Sequence, residues 1–241
     1  MKTKIKAFFR RILNWIKRNK IKSSIAFLLL IGYYFCLPRT LFYEPYSTVI
    51  ESKEGELLGA KIARDGQWRF PASDSVPDKF KKCIVYFEDQ YYYKHPGFNP
   101  VAMFNAIRQN QKAGKVVRGG STLTQQVIRL SRKGKSRTYF EKIIEIVLST
   151  RLELRHSKDK ILELYAGHAP FGGNVVGLEM ASWRYFGVQS HQLSWAETAT
   201  LAVLPNAPSL IYPGKNQEKL RLKRDALLLK LQKEGFIDQQ T

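Results

Sequence analysis

RGGSTLTQQVIR, Arg118–Arg129, is the stretch that decides how this chain is read. Two glycines, three hydroxyls and two amides sit between two arginines. A segment that only fills a core has little use for so many polar groups. They suit a groove that grips a sugar or a diphosphate. Gly119 and Gly120 let the backbone bend sharply or approach a ligand. Ser121, Thr122, Thr124, Gln125 and Gln126 can donate to sugar or phosphate oxygens, and Arg129 can hold phosphate with two parallel hydrogen bonds.

About thirty residues upstream lies FEDQYYYKHPGF, Phe87–Phe98. It opens with adjacent carboxylates, Glu88 and Asp89, and carries His95 and Gly97. Downstream, EKIIE places Lys142 and Glu145 three residues apart, on one face of a helix. RLELRHSKDKILELY follows and contains Glu163.

Together these segments resemble the signature motifs of the peptidoglycan glycosyltransferases of family 51. Those are the polymerase domains of class A penicillin-binding proteins and of monofunctional transglycosylases. The continuation HAPFGGNVVGLEMASWRYFG is similar to the 1C branch. The resemblance spans roughly residues 71–215. It implies a mainly α fold, a lysozyme-like lobe carrying a small membrane-facing jaw subdomain. It implies polymerisation of lipid II into β-1,4-linked glycan with release of undecaprenyl diphosphate. Glu88 is then the general base, and Glu145 the second carboxylate, meeting the leaving diphosphate through cations or holding neighbouring basic groups. Asp89 shapes the site or raises the pKa of the base, and His95 shapes its loop. The hydroxyls and amides of the second motif, with Arg129, Arg137 and Lys142, bind substrate. A divalent cation, Mg or Mn, is also expected from the family. Glu163, Glu197 and the turn Pro205–Pro208 read as architecture. Two positions depart from the family pattern. Glu141 stands where a basic residue is usual, with Arg137 as a candidate replacement, and Gly167 where asparagine is usual.

Composition agrees with an anionic, membrane-bound substrate. The chain has 241 residues and a formal charge of +20. Residues 1–22 hold nine Lys or Arg and no acidic residue, and the remainder carries 31 basic against 20 acidic residues. Such a surface favours nucleic acid, anionic lipid or a phosphorylated substrate. Ser23–Pro38, SSIAFLLLIGYYFCLP, carries no charge and is flanked by Lys22 and Arg39. Charge-free and basic-flanked, it turns the reading from nucleic acid to membrane. Sixteen residues are short against the roughly 20 that span a bilayer, but flanking cations can snorkel. No small-x-small cleavage site follows, so an uncleaved anchor is expected. The basic tail then lies in the cytoplasm and the body in the periplasm, at the bacterial inner membrane.

The expected organisation is a basic tail (1–22), a transmembrane anchor (23–38), a linker with a β-hairpin (39–70) and a glycosyltransferase domain (71–241). The hairpin is read from the turn signals Glu54-Gly55 and Asp65-Gly66. Helices are expected from Pro77 into Glu88 and over 101–111, 123–130, 139–154, 158–165, 178–186, 196–204 and 220–234, with a mobile loop at 109–118. The 1C branch carries a transpeptidase next, so the chain is read either as a fragment or early stop of such a protein or as a one-activity enzyme. The expected partners are lipid II, the nascent glycan strand, the inner membrane and other cell-wall synthesis proteins, and no nucleic acid. Two other function classes stay open: a catalytically weak or silent lipid-II-binding membrane scaffold, and a lysozyme-like glycan hydrolase.

Several lesser motifs fail on context. Gly134-Lys135-Ser136 imitates the end of a P-loop, but the upstream glycine position holds Arg129. Ser157-x-x-Lys160 lacks the companions of a penicillin-binding site. Gly172–Gly177 lacks a preceding strand, so it is no dinucleotide fingerprint. Cys36 and Cys83 suggest neither a disulfide framework nor a metal cluster.

Overall fold

The structure, a computed structural model, describes residues 6, 10, 11, 14–71, 73, 75–115, 119–133, 135, 136 and 138–238. It divides into two compact units, Met1–Arg39 and Thr40–Thr241.

In the first unit, helix α1 covers Lys20–Phe35 and buries no side chain. It begins three residues before the expected anchor and stops three short of its end. Pro38 accounts for the stop, because a proline disfavours helical geometry in the residue before it. Sixteen residues rise about 24 Å, less than the roughly 30 Å hydrocarbon core of a bilayer. No helix among the described residues is long and apolar enough to cross a membrane.

The second unit is mainly helical. Strands β1 (Thr48–Glu51) and β2 (Leu57–Lys61) pair antiparallel around the Glu54-Gly55 turn. After the Asp65-Gly66 turn the chain does not fold back on β2. Instead β3 (Trp68–Arg69) pairs in parallel with β4 (Val175–Val176). A two-residue pairing across such a sequence distance leaves no periodic signal in either segment.

Among the described residues this unit holds eight α-helices: α2 (Asp78–Glu88), α3 (Pro100–Ala113), α4 (Leu123–Ser131), α5 (Tyr139–Arg155), α6 (Lys158–His168), α7 (Leu178–Phe186), α8 (Trp195–Val203) and α9 (Gln217–Lys233). Their starts are written in capping residues. Asn99 accepts from Ala102 N with Pro100 at the first helical position, Thr138 caps α5, Ser157 caps α6, and Ser194 with Glu197 forms a capping box on α8. Helix α3 runs through the first half of the expected loop. It ends only at Gly114, whose φ of 63° is left-handed.

Helix α2 packs on α8 and α9, and α4 packs on α5 and α6. The core is apolar and close-set, with Phe80, Cys83, Ile84, Leu123, Val127, Ile128, Leu152, Ile161, Leu162, Phe171 and Leu201 all buried. Burial pushes the Cys83 thiol up to about 12, so it is an inert packing residue. This packing brings the C-terminal end of α2 to the N-terminal end of α4.

Candidate active site

A cleft of about 1960 Å³ opens between the first and second motifs. Glu88, Asp89, His95, Gly119, Gly120, Ser121, Thr122, Gln126, Arg129, Lys142 and Glu145 all line it. Thr124 and Gln125 do not. Arg118 and Arg137 lie outside the described residues.

Asp89 joins the two motifs. Its carboxylate is buried and accepts from His95 Nε2 at 2.9 Å and from the backbone N–H of Leu123 at 3.0 Å. The second bond places a negative charge on the first turn of α4, where the helix dipole favours it. His95 Nδ1 accepts from Gly97 N at 3.2 Å. Both ring nitrogens are thereby committed to protein partners, so His95 fixes its loop. Thr122 continues the clasp. Its hydroxyl donates to the Gly97 carbonyl at 2.6 Å and caps α4 in a box with Gln125. Lys158 of α6 adds a third tie, donating to the carbonyl of His95 at 2.8 Å and to Glu153 at 2.7 Å. The Thr124 hydroxyl also donates to Glu153, at 2.6 Å. Three of the polar residues in the quoted stretch therefore serve the scaffold.

Gly97 is indispensable to that clasp. Its φ is +94°, and an added Cβ would lie 2.6 Å from the carbonyl oxygen of Ser149. We expect Gly97→Ala to cost about 3 kcal/mol and to lower Tm by about 5–10 °C in thermal denaturation, with activity falling alongside. An unchanged Tm would contradict this account of the loop.

Glu88 is the last residue of α2 and is half-buried. Gln126 Nε2 donates to its Oε2 at 2.8 Å, and Asn206 Nδ2 donates to its Oε1 at 3.4 Å. Burial raises its pKa above the ordinary carboxylate value. Gln126, Asn206 and Lys223 pull it back, and the like charge of Asp89 adds the least of the upward pushes. A carboxylate raised towards the working pH is a better proton acceptor.

A second cluster sits on α4 and α5. Arg129 grips Glu145 with two hydrogen bonds, Nε to Oε1 at 2.8 Å and Nη2 to Oε2 at 3.1 Å. Lys142 Nζ donates to Glu145 Oε2 at 3.2 Å, to Gln125 Oε1 at 3.2 Å and to Ser121 Oγ at 2.9 Å. Arg129 Nη2 donates to the same hydroxyl at 2.9 Å. Burial works against the Glu145 anion, but Arg129 and Lys142 more than offset it and hold its pKa below the ordinary value. Glu145 is thus stabilised as an anion and fixes two cations against the cleft. Glu141, the departure from the family pattern, is paired to Arg132 through both oxygens, at 2.5 and 3.1 Å. Its charge is neutralised locally and does not detract from the cluster.

No group of three or more His, Cys, Asp or Glu that could hold a metal ion occurs among the described residues. The carboxylates of the cleft are already engaged by Arg129, Arg132, Lys142, His95 and amides. A divalent cation caged by protein ligands does not fit this arrangement.

Sequence reasoning missed two residues that line the cleft, Asn206 and Lys230, and a third, Lys223, that contacts one of them. Asn206 was read as part of a turn, yet its amide touches Glu88. Lys223 of α9 donates to Asn206 Oδ1 at 2.6 Å. Lys230, also of α9, donates to the Tyr86 carbonyl at 2.6 Å and lines the cleft. In the sequence these lysines belong to RLKRDALLLK, which looks like any solvated basic helix face. Glu163, by contrast, pairs with Lys160 at 2.6 Å and does not line the cleft.

With this geometry in view, comparison with known proteins is decisive. The family model described as Transglycosylase matches residues 55–232. Penicillin-binding protein 1C of Escherichia coli is 37% identical over 188 residues, which is 78% of this chain and 24% of that protein. Penicillin-binding protein 1A/1B of Bacillus subtilis is 33% identical over 218 residues, 90% of this chain and 24% of that protein. Penicillin-binding protein 1A of Escherichia coli is 36% identical over 193 residues, 79% of this chain and 22% of that protein. The chain belongs to the transglycosylase family, the peptidoglycan glycosyltransferases of family 51. It spans about a quarter of the length of the curated relatives it matches.

Proposed function

We propose that this chain polymerises lipid II. One observation carries the proposal: a half-buried carboxylate of raised pKa and a fixed cation cluster line one cleft. The acceptor's GlcNAc 4-hydroxyl loses its proton to Glu88. As it does so, its oxygen attacks C1 of the lipid-linked MurNAc at the end of the growing strand. The new O–C1 bond forms opposite the departing oxygen, so the configuration inverts to a β-1,4 link. Undecaprenyl diphosphate leaves with the bonding electron pair.

Negative charge accumulates on that diphosphate, and Arg129 and Lys142 are preorganised to meet it. Ser121 stands between them and offers the same oxygens a hydroxyl. Because Glu145 keeps both cations in place, no solvent reorganisation is needed when the charge develops. No step is assigned to a divalent cation. Magnesium arriving with the diphosphate would draw its ligands largely from phosphate and water. The Arg132–Glu141 pair supports the polymerase over a silent scaffold, since the departure at 141 leaves the cation cluster intact.

We further propose that residues 23–38 hold the chain at the bacterial inner membrane, with the basic tail in the cytoplasm and the cleft in the periplasm. The support is the charge-free run, its basic flanks and the exposed apolar side chains Ile25, Phe27, Leu28, Leu29 and Leu30. Because α1 is short of a full span, flanking lysines must snorkel or the bilayer must thin. The chain should remain in the membrane pellet after alkaline carbonate extraction and become soluble once residues 1–39 are removed. Release of the intact chain by carbonate would contradict the anchor.

Polymerisation itself is tested with labelled lipid II in detergent, read by gel electrophoresis. A ladder of glycan with released lipid diphosphate is the expected result. Bound but unconverted lipid II would favour the scaffold instead.

A further inference from the structure

The Asn206 side chain bridges two charged groups from different elements. Its Oδ1 accepts from Lys223 Nζ at 2.6 Å, and its Nδ2 donates to Glu88 Oε1 at 3.4 Å. The two contacts fix each other. An ammonium can only donate, so the amide oxygen must face Lys223. The amide N–H is then turned to Glu88, which as a carboxylate can only accept. Lys223 also lies 5.9 Å from the ring centre of Phe87, the residue before Glu88. Helix α9, which carries Lys223, packs directly on α2, which carries Glu88.

We propose that Lys223 is a positioning residue which, acting through Asn206, holds the Glu88 carboxylate ionised and aimed for proton abstraction. This rests on the reading of Glu88 as the general base. Three charged or titratable groups act on Glu88 or feel its charge, Lys223 from α9, Asp89 beside it and Tyr165 from α6, while Lys230 and Arg129 line the same cleft. Asp89 is committed to His95 and Leu123. Tyr165 is fully buried, and its hydroxyl has no hydrogen-bond partner among the described residues. Lys223 is therefore the only cation of the three. Burial lowers its own pKa while the charge of Glu88 raises it, as expected for a lysine drawn in to face a carboxylate. Without that cation, burial would favour the protonated acid, and an acid cannot take the hydroxyl proton.

The test uses the full chain in detergent with 13C-labelled glutamate. The Glu88 carboxyl signal, assigned by its loss in Glu88→Gln, is followed through a pH titration in the wild type, Lys223→Met, Lys223→Arg and Asn206→Ala. The expected result is a midpoint moved to higher pH in Lys223→Met, moved less in Asn206→Ala and restored in Lys223→Arg. Turnover should follow the same order. In Lys223→Met it should be about tenfold lower at pH 6 and recover towards pH 8.5, since one pH unit corresponds to a tenfold change in ionisation. A Glu88 midpoint that does not move in Lys223→Met, or in Asn206→Ala should the lysine variant not fold, overturns the proposal. The titration needs no substrate, so it decides this coupling even if the wild type forms no glycan, which would count against the polymerase reading instead.

Discussion

Glu88→Gln should abolish glycan synthesis while leaving lipid II binding nearly intact. Glutamine keeps the shape and can still meet Gln126 and Asn206 after an amide rotation, so the fold should survive. What it cannot do is accept a proton. General-base catalysis contributes typically about 10²–10⁴-fold, and kcat should fall by that amount with KM little changed. The wild-type activity should decline as pH falls through the raised pKa of Glu88, above the ordinary carboxylate range, because the protonated acid is inactive. That acid limb should vanish along with the activity in Glu88→Gln. A variant that retains wild-type turnover would remove Glu88 from the mechanism.

Arg129→Met should lower kcat by about 10²–10³-fold, the usual loss when one preorganised donor to a developing anion is removed. Two effects combine. The diphosphate loses a bidentate partner, and Glu145 is left with Lys142 alone. Lys142 would then be drawn more tightly to Glu145 and be less available to substrate. Arg129→Lys should recover only part of the loss, since a point charge cannot replace the planar fork that now spans both Glu145 oxygens. Measured kcat and KM for the two variants separate the effects. If both variants match the wild type, the cluster is a structural ion pair and not the diphosphate site.

Much of this architecture is legible in the chain. The helices declare their starts through Asn99, Thr122, Thr138, Ser157 and Ser194, because each of these side chains can satisfy an orphan N–H and few other residues can. Gly114 marks where α3 ends, yet the polar run before it reads as a loop. Helix propensity overrides polarity there, since lysine and glutamine are good helix formers. The β3–β4 pairing is hidden because two residues carry no period.

The site divides in the same way. Residues close in sequence, such as Glu88 with Asp89 and Lys142 with Glu145, announce themselves by pattern. The division of labour among the polar residues of Arg118–Arg129 does not. Ser121, Gln126 and Arg129 face the cleft, while Thr124 and Gln125 turn inward to Glu153 and Lys142. That difference follows from the helical rotation of α4 against α5 and α6, which composition cannot reveal. Asn206 and Lys223 lie more than a hundred residues from Glu88 and reach it only through the packing of α8 and α9 on α2.

The most direct test of the central claim is the chemical structure of the product made by the purified chain from lipid II. The account predicts a polymer linked β-1,4 throughout, cleaved by a muramidase to disaccharide units, with one undecaprenyl diphosphate released for each bond formed. Free sugar reducing ends without polymer would show that water, not the GlcNAc 4-hydroxyl, is the nucleophile, and would contradict the polymerase.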